Sequence, residues 1–146
     1  MDRPTLRIAR AKGYTGPLPA YQTEGAAGLD LCIPTGTFLQ AGETRRIKTG
    51  IMLDIPAGFE GQIRPRSSLS ALGITVHIGT IDQDYRGEIE VVVTAAHERN
   101  AYFGAGQRIA QLVIAPVARC EVVEITVAEL TPTARGAGSF GSTGIK

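Results

Sequence analysis

Turn formers punctuate this chain so often that a long helix has no room to form. Gly16-Pro17, Pro34-Thr35-Gly36, Ala41-Gly42, Pro56-Ala57-Gly58 and Phe103-Gly104-Ala105-Gly106 each free or fix the backbone where it must reverse. Between them lie short apolar or alternating stretches, from Leu6 to Arg10, Leu29 to Ile33, Ile51 to Ile55, Ile89 to Val93, Ile109 to Ile114 and Val122 to Val127. Composition agrees with the spacing: 18 Gly and 8 Pro disfavour helices, while 14 Ile, 14 Thr and 9 Val suit a pleated, half-buried surface. Many short strands at this spacing predict an all-β domain, a jelly-roll-like barrel or sandwich.

Two stretches break the pattern. Ser67-Ser68-Leu69-Ser70-Ala71-Leu72-Gly73 follows Pro65, opens on capping residues and closes on Gly, which predicts one short helix. From Ala134 to Lys146 the chain carries Gly136, Gly138, Gly141 and Gly144 and little that could pack. The expectation is a single domain over 1–146, with a β body over 1–133 and a mobile Gly-rich C-terminal arm over 134–146.

Charge and cysteine usage narrow the function classes. Fifteen basic against 14 acidic side chains leave a net charge of +1, so no sequence-wide basic field exists to coat nucleic acid. No apolar run approaches the ~20 residues of a membrane-spanning helix. Cys32 and Cys120 are too far apart for metal-ligand spacing and too few for a disulfide framework. Met1 to Arg10 lacks the apolar stretch of a signal peptide, so the expectation is a cytoplasmic enzyme or binding module with reduced thiols.

Four places could carry chemistry. Arg64-Pro65-Arg66-Ser67-Ser68 gathers guanidinium forks, hydroxyls and helix-start N–H groups, which suit an anion as well as they suit an ordinary capped turn. Gly79-Thr80-Ile81-Asp82-Gln83-Asp84-Tyr85-Arg86-Gly87 reads as a hairpin with carboxylates and a ring at its tip. There a carboxylate can act as a general base toward water and a ring can pack on a sugar. If that segment is extended, Asp82 and Asp84 share a face and Tyr85 points the other way. In the tail, Arg135, Phe140, Ser142 and Thr143 alternate with glycines whose N–H groups can approach phosphate closely. Glu24, Asp30 and Asp54 are candidate acids, and Asp30 stands out because Ala26-Ala27-Gly28-Leu29 and Leu31 surround it with small and apolar neighbours. His77 and His97 have no third ligand at useful spacing, which argues against zinc.

Five segments in one order resemble the trimeric dUTPase family. They are Ala26 to Leu31, Pro65 to Leu69, Gly79 to Gly87, Gly106-Gln107-Arg108-Ile109-Ala110-Gln111-Leu112, and Arg135 to Gly144. The resemblance implies a β jelly roll assembled as a homotrimer with active sites at subunit junctions. It implies cleavage of dUTP to dUMP and pyrophosphate with Mg2+, which lowers dUTP and supplies dUMP for thymidylate synthesis. By position, Asp82 becomes the base that activates water, and Tyr85 lies beneath the deoxyribose. Gly79, Thr80 and Ile81 read uracil, with Val76 and Glu90 nearby. Arg66, Ser67, Ser68 and Gln111 hold phosphates. Asp30 acts through water on a magnesium ion that the protein does not ligate directly. Arg135 approaches the triphosphate, Phe140 stacks on the base, and Gly141, Ser142 and Thr143 close over the γ-phosphate. The sequence departs from the family pattern at Ser68, at Gly138-Ser139 and at Val76.

Two alternatives stand beside this reading. The related dCTP deaminases share the fold and an Arg-Ser-Ser-Leu segment like Arg66 to Leu69, but carry a catalytic Glu where this chain has Val92. A nucleotide-binding module without turnover would have no use for Asp82.

Overall fold

The computed structural model describes residues 3–144, so Met1, Asp2 and the last two residues of the expected arm lie outside it. Its elements follow the turn signals. They are β1 (Arg7–Arg10), β2 (Leu29–Cys32), β3 (Thr37–Leu39), β4 (Thr44–Asp54), β5 (Phe59–Arg64), α1 (Ser67–Ser70), β6 (Thr75–Val76), β7 (Gly79–Ile81), β8 (Glu88–Thr94), β9 (Ala101–Phe103) and β10 (Arg108–Pro116). A 3₁₀ turn, Val127–Glu129, follows late in the chain.

Two four-stranded antiparallel sheets, ordered β1-β4-β8-β6 and β2-β10-β5-β7, form the body, and β3 pairs with β9 as a small ribbon. This is the all-β, jelly-roll-like architecture expected from the sequence. The period of two in the strands explains the packing. In β8, Ile89, Val91 and Val93 turn inward and are buried, while Glu88, Glu90, Val92 and Thr94 alternate with them. Leu29, Leu31, Ile63 and Leu112 meet them from the other sheet, and Leu39 and Phe103 close one end from the ribbon. Each such side chain contributes roughly 1.5–3 kcal/mol of burial.

Three sequence expectations are corrected. Val122 to Val127 forms no strand: no ladder partner pairs with it among the described residues, and Val122 and Val127 are almost wholly exposed. The 79–87 segment is not a hairpin: β7 pairs with β5 in one sheet and β8 with β4 and β6 in the other. It is a crossing between sheets, and the extended backbone stops at Ile81, so Asp82 and Asp84 do not share a strand face. Helix α1 is a single turn whose N-cap is Arg66, with no side-chain cap, so Ser67 and Ser68 are its first residues. Gly73, at φ +74°, ends the turn as expected.

After β10 the chain leaves the body. Its last backbone tie there, among the described residues, is Val117 N–H to the Gly58 carbonyl at 2.8 Å. Every described residue from Pro116 onward is exposed except Gly138, so the segment over 134–144 is the outer part of a longer exposed stretch.

Candidate active site

The free edge of β7 sets the first half of the site. As the outermost strand of its sheet, β7 pairs, among the described residues, only with β5, in the register Gly79 to Ile63, Thr80 to Gln62 and Ile81 to Gly61. Backbone groups turned away from β5 are left without a ladder partner among the described residues. A cleft of about 210 Å³ opens beside this edge, lined by Ile63, Gly79, Thr80, Ile81, Asp82, Tyr85, Ile89 and Glu90. Glu90, at its lip, faces Arg46 Nε at 3.6 Å. Val76, by contrast, is buried in the core and does not line the cleft.

Asp82 begins a turn in which Tyr85 N–H donates to the Asp82 carbonyl at 3.1 Å. The Tyr85 hydroxyl donates to the Glu88 carbonyl at 3.1 Å, which lays the ring across Gly87. A β-carbon at Gly87 would overlap that ring and hydroxyl, so only glycine lets the tyrosine lie there. Asp84 does not line this cleft; it borders a separate depression with Asp82, Glu60 and Arg119.

The second cluster forms where β2, β10 and α1 meet. Asp30, with 14% of its side chain exposed, lies between Arg66 Nε at 3.5 Å and Arg108 Nη1 at 3.4 Å. A carboxylate this enclosed needs charged partners, and the two arginines supply them. Arg66 Nη1 also donates to the Arg108 carbonyl at 3.2 Å, which ties the start of α1 to β10. Gln111 pairs with Asp30 in register and donates from Nε2 to the Pro65 carbonyl at 3.0 Å. Ser67 and Ser68 open α1 beside Arg66, where the first N–H groups have no partner inside the helix. Burial pushes the Cys32 thiol above its usual range, while Arg108 and Arg66 pull the other way. The sequence reading assigned Arg108 no role, although an enclosed Asp30 demanded a cation.

Gly28 is part of the same packing. A methyl at Gly28 would stand 2.7 Å from Gln111 Oε1 and 3.1 Å from Gln111 Cβ. Gly28→Ala is therefore expected to displace the Gln111 amide and cost about 1–3 kcal/mol of stability. At about 2–4 °C per kcal/mol, a melting curve would read this as a fall of several degrees. An unchanged Tm would show that Gln111 moves aside freely.

The tail residues stand apart from both clusters. Arg135 Nε donates to the Gly138 carbonyl at 2.9 Å, and Ser142 N–H to the Ser139 carbonyl at 2.9 Å. Gly144 N–H returns to the Gly141 carbonyl at 3.0 Å, so this stretch holds itself as small turns. Phe140 is fully exposed, and Thr143 is exposed too. Among the described residues, no side-chain hydrogen bond or ion pair joins the tail to the cleft or the cradle, and none joins those two to each other, although β5 lies between their strands in one sheet. Gathered within one chain, then, are a carboxylate with a ring at a strand edge, and an arginine-rich cradle with Asp30 and Gln111.

Comparison with known proteins gives one answer. The dUTPase family model matches residues 15–144. The deoxyuridine 5'-triphosphate nucleotidohydrolase of Methylocella silvestris is 52% identical over 148 residues, covering 96% of this chain and 91% of that one. The protein of the same name from Anaeromyxobacter sp. (strain Fw109-5) is 47% identical over 146 residues, covering 96% and 97%. Among solved structures, a mutant dUTPase of Staphylococcus bacteriophage 80alpha with dUpNHpp superposes with a TM-score of 0.90 at 25% identity, over 97% of this chain and 99% of that one. With a family model spanning most of its length and near-full-length relatives at about half identity, this chain belongs to the dUTPase family.

Proposed function

We propose that the protein hydrolyses dUTP to dUMP and pyrophosphate, with water attacking the α-phosphorus. The observation that carries this reading is the cleft in which Asp82 and Tyr85 flank an unpaired strand edge. Uracil presents a donor between two acceptors, and free backbone groups at Thr80 and Ile81 suit that pattern. Tyr85 packs under the deoxyribose, and Asp82 takes the proton from the attacking water. As the water oxygen bonds to the α-phosphorus, the bond to the bridging oxygen breaks and pyrophosphate leaves. The rest is positioning and charge neutralisation, which Arg66, Ser67, Ser68 and Gln111 supply, with Arg135 and Phe140 arriving on the arm. Gly141, Ser142 and Thr143 then close over the γ-phosphate.

Magnesium fits this donor set only as part of the nucleotide. Asp30 is already flanked by two arginines, and among the described residues no three His, Cys, Asp or Glu groups come together to hold a metal. The ion would bring its waters and bind the triphosphate oxygens, with Asp30 meeting one of those waters. When bound, it would neutralise charge on the phosphates.

We further infer a homotrimer with each site shared between subunits. No side-chain bond among the described residues joins the two clusters of one chain, and the exposed stretch between β10 and the arm carries Val122, Val123, Ile125, Val127 and Leu130, apolar surface that a second copy would cover. No helix among the described residues is long and apolar enough to cross a membrane. A cytoplasmic setting fits a chain whose Cys32 and Cys120 are both free.

Parallel incubation with dUTP and dCTP, reading pyrophosphate and ammonia, tests the reaction. Pyrophosphate from dUTP with many turnovers per protein is expected. Ammonia from dCTP would indicate the deaminase, and tight binding without product a nucleotide-binding module. Sugar selectivity follows from Tyr85: UTP should be poorer than dUTP by about 10²-fold, the scale on which an apolar surface rejects an added hydroxyl. Tyr85→Ala should narrow that gap. So should Gly87→Ala, which keeps the ring but pushes it off its seat. Equal rates with both nucleotides in the unmodified protein would remove Tyr85 from the sugar site.

A further inference from the structure

We propose that Arg86, anchored by Asp54, is a positioning residue that fixes the turn carrying Asp82 and Tyr85. This rests on the proposed reaction for its kinetic consequence but not for its geometry. In a hairpin, ladder bonds between the flanking strands would hold the tip. Here β7 and β8 belong to different sheets, so no ladder closes the base of residues 82–87. Side chains do that work instead.

The Arg86 guanidinium takes three acceptors at once. Its Nη1 donates to the Gln83 carbonyl at 2.7 Å and to the Tyr85 carbonyl at 3.1 Å, and its Nη2 donates to Asp54 Oδ1 at 3.0 Å. Two of these acceptors lie inside the turn, one on each side of Asp84. The third belongs to the last residue of β4. The other oxygen of Asp54 is bound by Arg7, its register partner on β1. The Asp82–Tyr85 turn is thereby fastened to the opposite sheet, at the end of an 11-residue strand that runs through the core. Gln83 adds a weaker tie, its Nε2 reaching the Ile55 carbonyl at 3.4 Å.

Exposure argues that the clamp is geometric rather than a store of stability. The side chain of Arg86 is 54% exposed and that of Asp54 33%, and ion pairs so open to water contribute little to folding. A rigid planar fork can hold two carbonyls and a carboxylate in one arrangement. A lysine, with a single flexible ammonium, cannot. What the fork controls is where the Asp82 carboxylate and the Tyr85 ring stand. A misplacement of about 1 Å at a reacting group costs on the order of 10²-fold in rate.

The test uses the full-length protein with Arg86→Ala, Arg86→Lys, Asp54→Asn and the Asp54→Asn/Arg86→Ala double variant. The expected result is a Tm close to the unmodified protein's and a kcat on dUTP lower by about 10–10²-fold for both Arg86 variants. The dUTP over UTP preference should narrow, Lys should not rescue, and the double variant should be no worse than Arg86→Ala. Hydrogen exchange of residues 82–88 should accelerate in Arg86→Ala while β4 and β8 stay protected, a readout that needs no turnover. A fall in Tm with kcat and preference unchanged would make Arg86 merely structural. A rise in KM alone would make it a substrate ligand. Unchanged exchange in the turn would overturn the clamp outright. If the unmodified protein released no pyrophosphate from dUTP, the proposed reaction would fail, and the exchange data alone would still decide the clamp.

Discussion

Asp82→Asn should lower kcat on dUTP by about 10²–10⁴-fold, the range for loss of a positioned general base, while KM moves little. The amide occupies the same volume and preserves the turn, because the bond that shapes it runs from Tyr85 N–H to the Asp82 carbonyl rather than to the carboxylate. Binding should survive for the same reason: the strand edge at Thr80 and Ile81 and the Tyr85 ring are untouched. On the proposed mechanism, what disappears is the acceptor for the water's proton, a group used only as the transition state forms. Steady-state kinetics with dUTP checks this. An unchanged kcat would reject Asp82 as the base and direct attention to Asp84, the other carboxylate of the turn.

Removal of the arm should be as damaging, and it tells more about assembly. A chain ending before Arg135 loses Arg135, Phe140, Ser142 and Thr143 without disturbing the core, since among the described residues none of these bonds to the body. The truncated protein should therefore fold with an unchanged Tm and, on the proposed shared-site trimer, be nearly inactive, because a site left open would admit water and lack part of its charge neutralisation. Asp82→Asn homotrimers should also be nearly inactive. Unfolding the two together and refolding them should restore part of the activity, because some subunit junctions then combine an intact Asp82 with an intact arm from another chain. Mass measurement must show hybrid trimers in the mixture. Hybrids as inactive as their parents would mean that the arm serves its own chain and that the shared-site reading is wrong.

The strand pattern was legible because it depends on neighbours in sequence. Ile89, Val91 and Val93 alternate with Glu88, Glu90, Val92 and Thr94, mostly polar, and alternation of that kind has only one efficient use, a sheet with a buried face. The same rule misled at Val122 to Val127. Its residues prefer strands, but a strand is completed by a partner, and none pairs with it among the described residues. Asp30 was conspicuous in the sequence because small and apolar residues surround it. Arg108 was not, since nothing local marks an arginine 78 positions away as the cation that carboxylate needs.

Sequence by itself determined that this chain builds an all-β body from short strands, and its five ordered motifs pointed to the family. Turn chemistry and side-chain alternation are local properties, carried by each segment wherever it lies. Tertiary structure alone decided that Gly79 to Gly87 crosses between sheets rather than folding back as a hairpin. That outcome depends on which strands compete for β7 and β8, and β5 on one side and β4 and β6 on the other won. The need for Arg86 and Asp54 follows from it: a turn without a ladder at its base must be held by side chains, and those chains come from wherever the fold brings them.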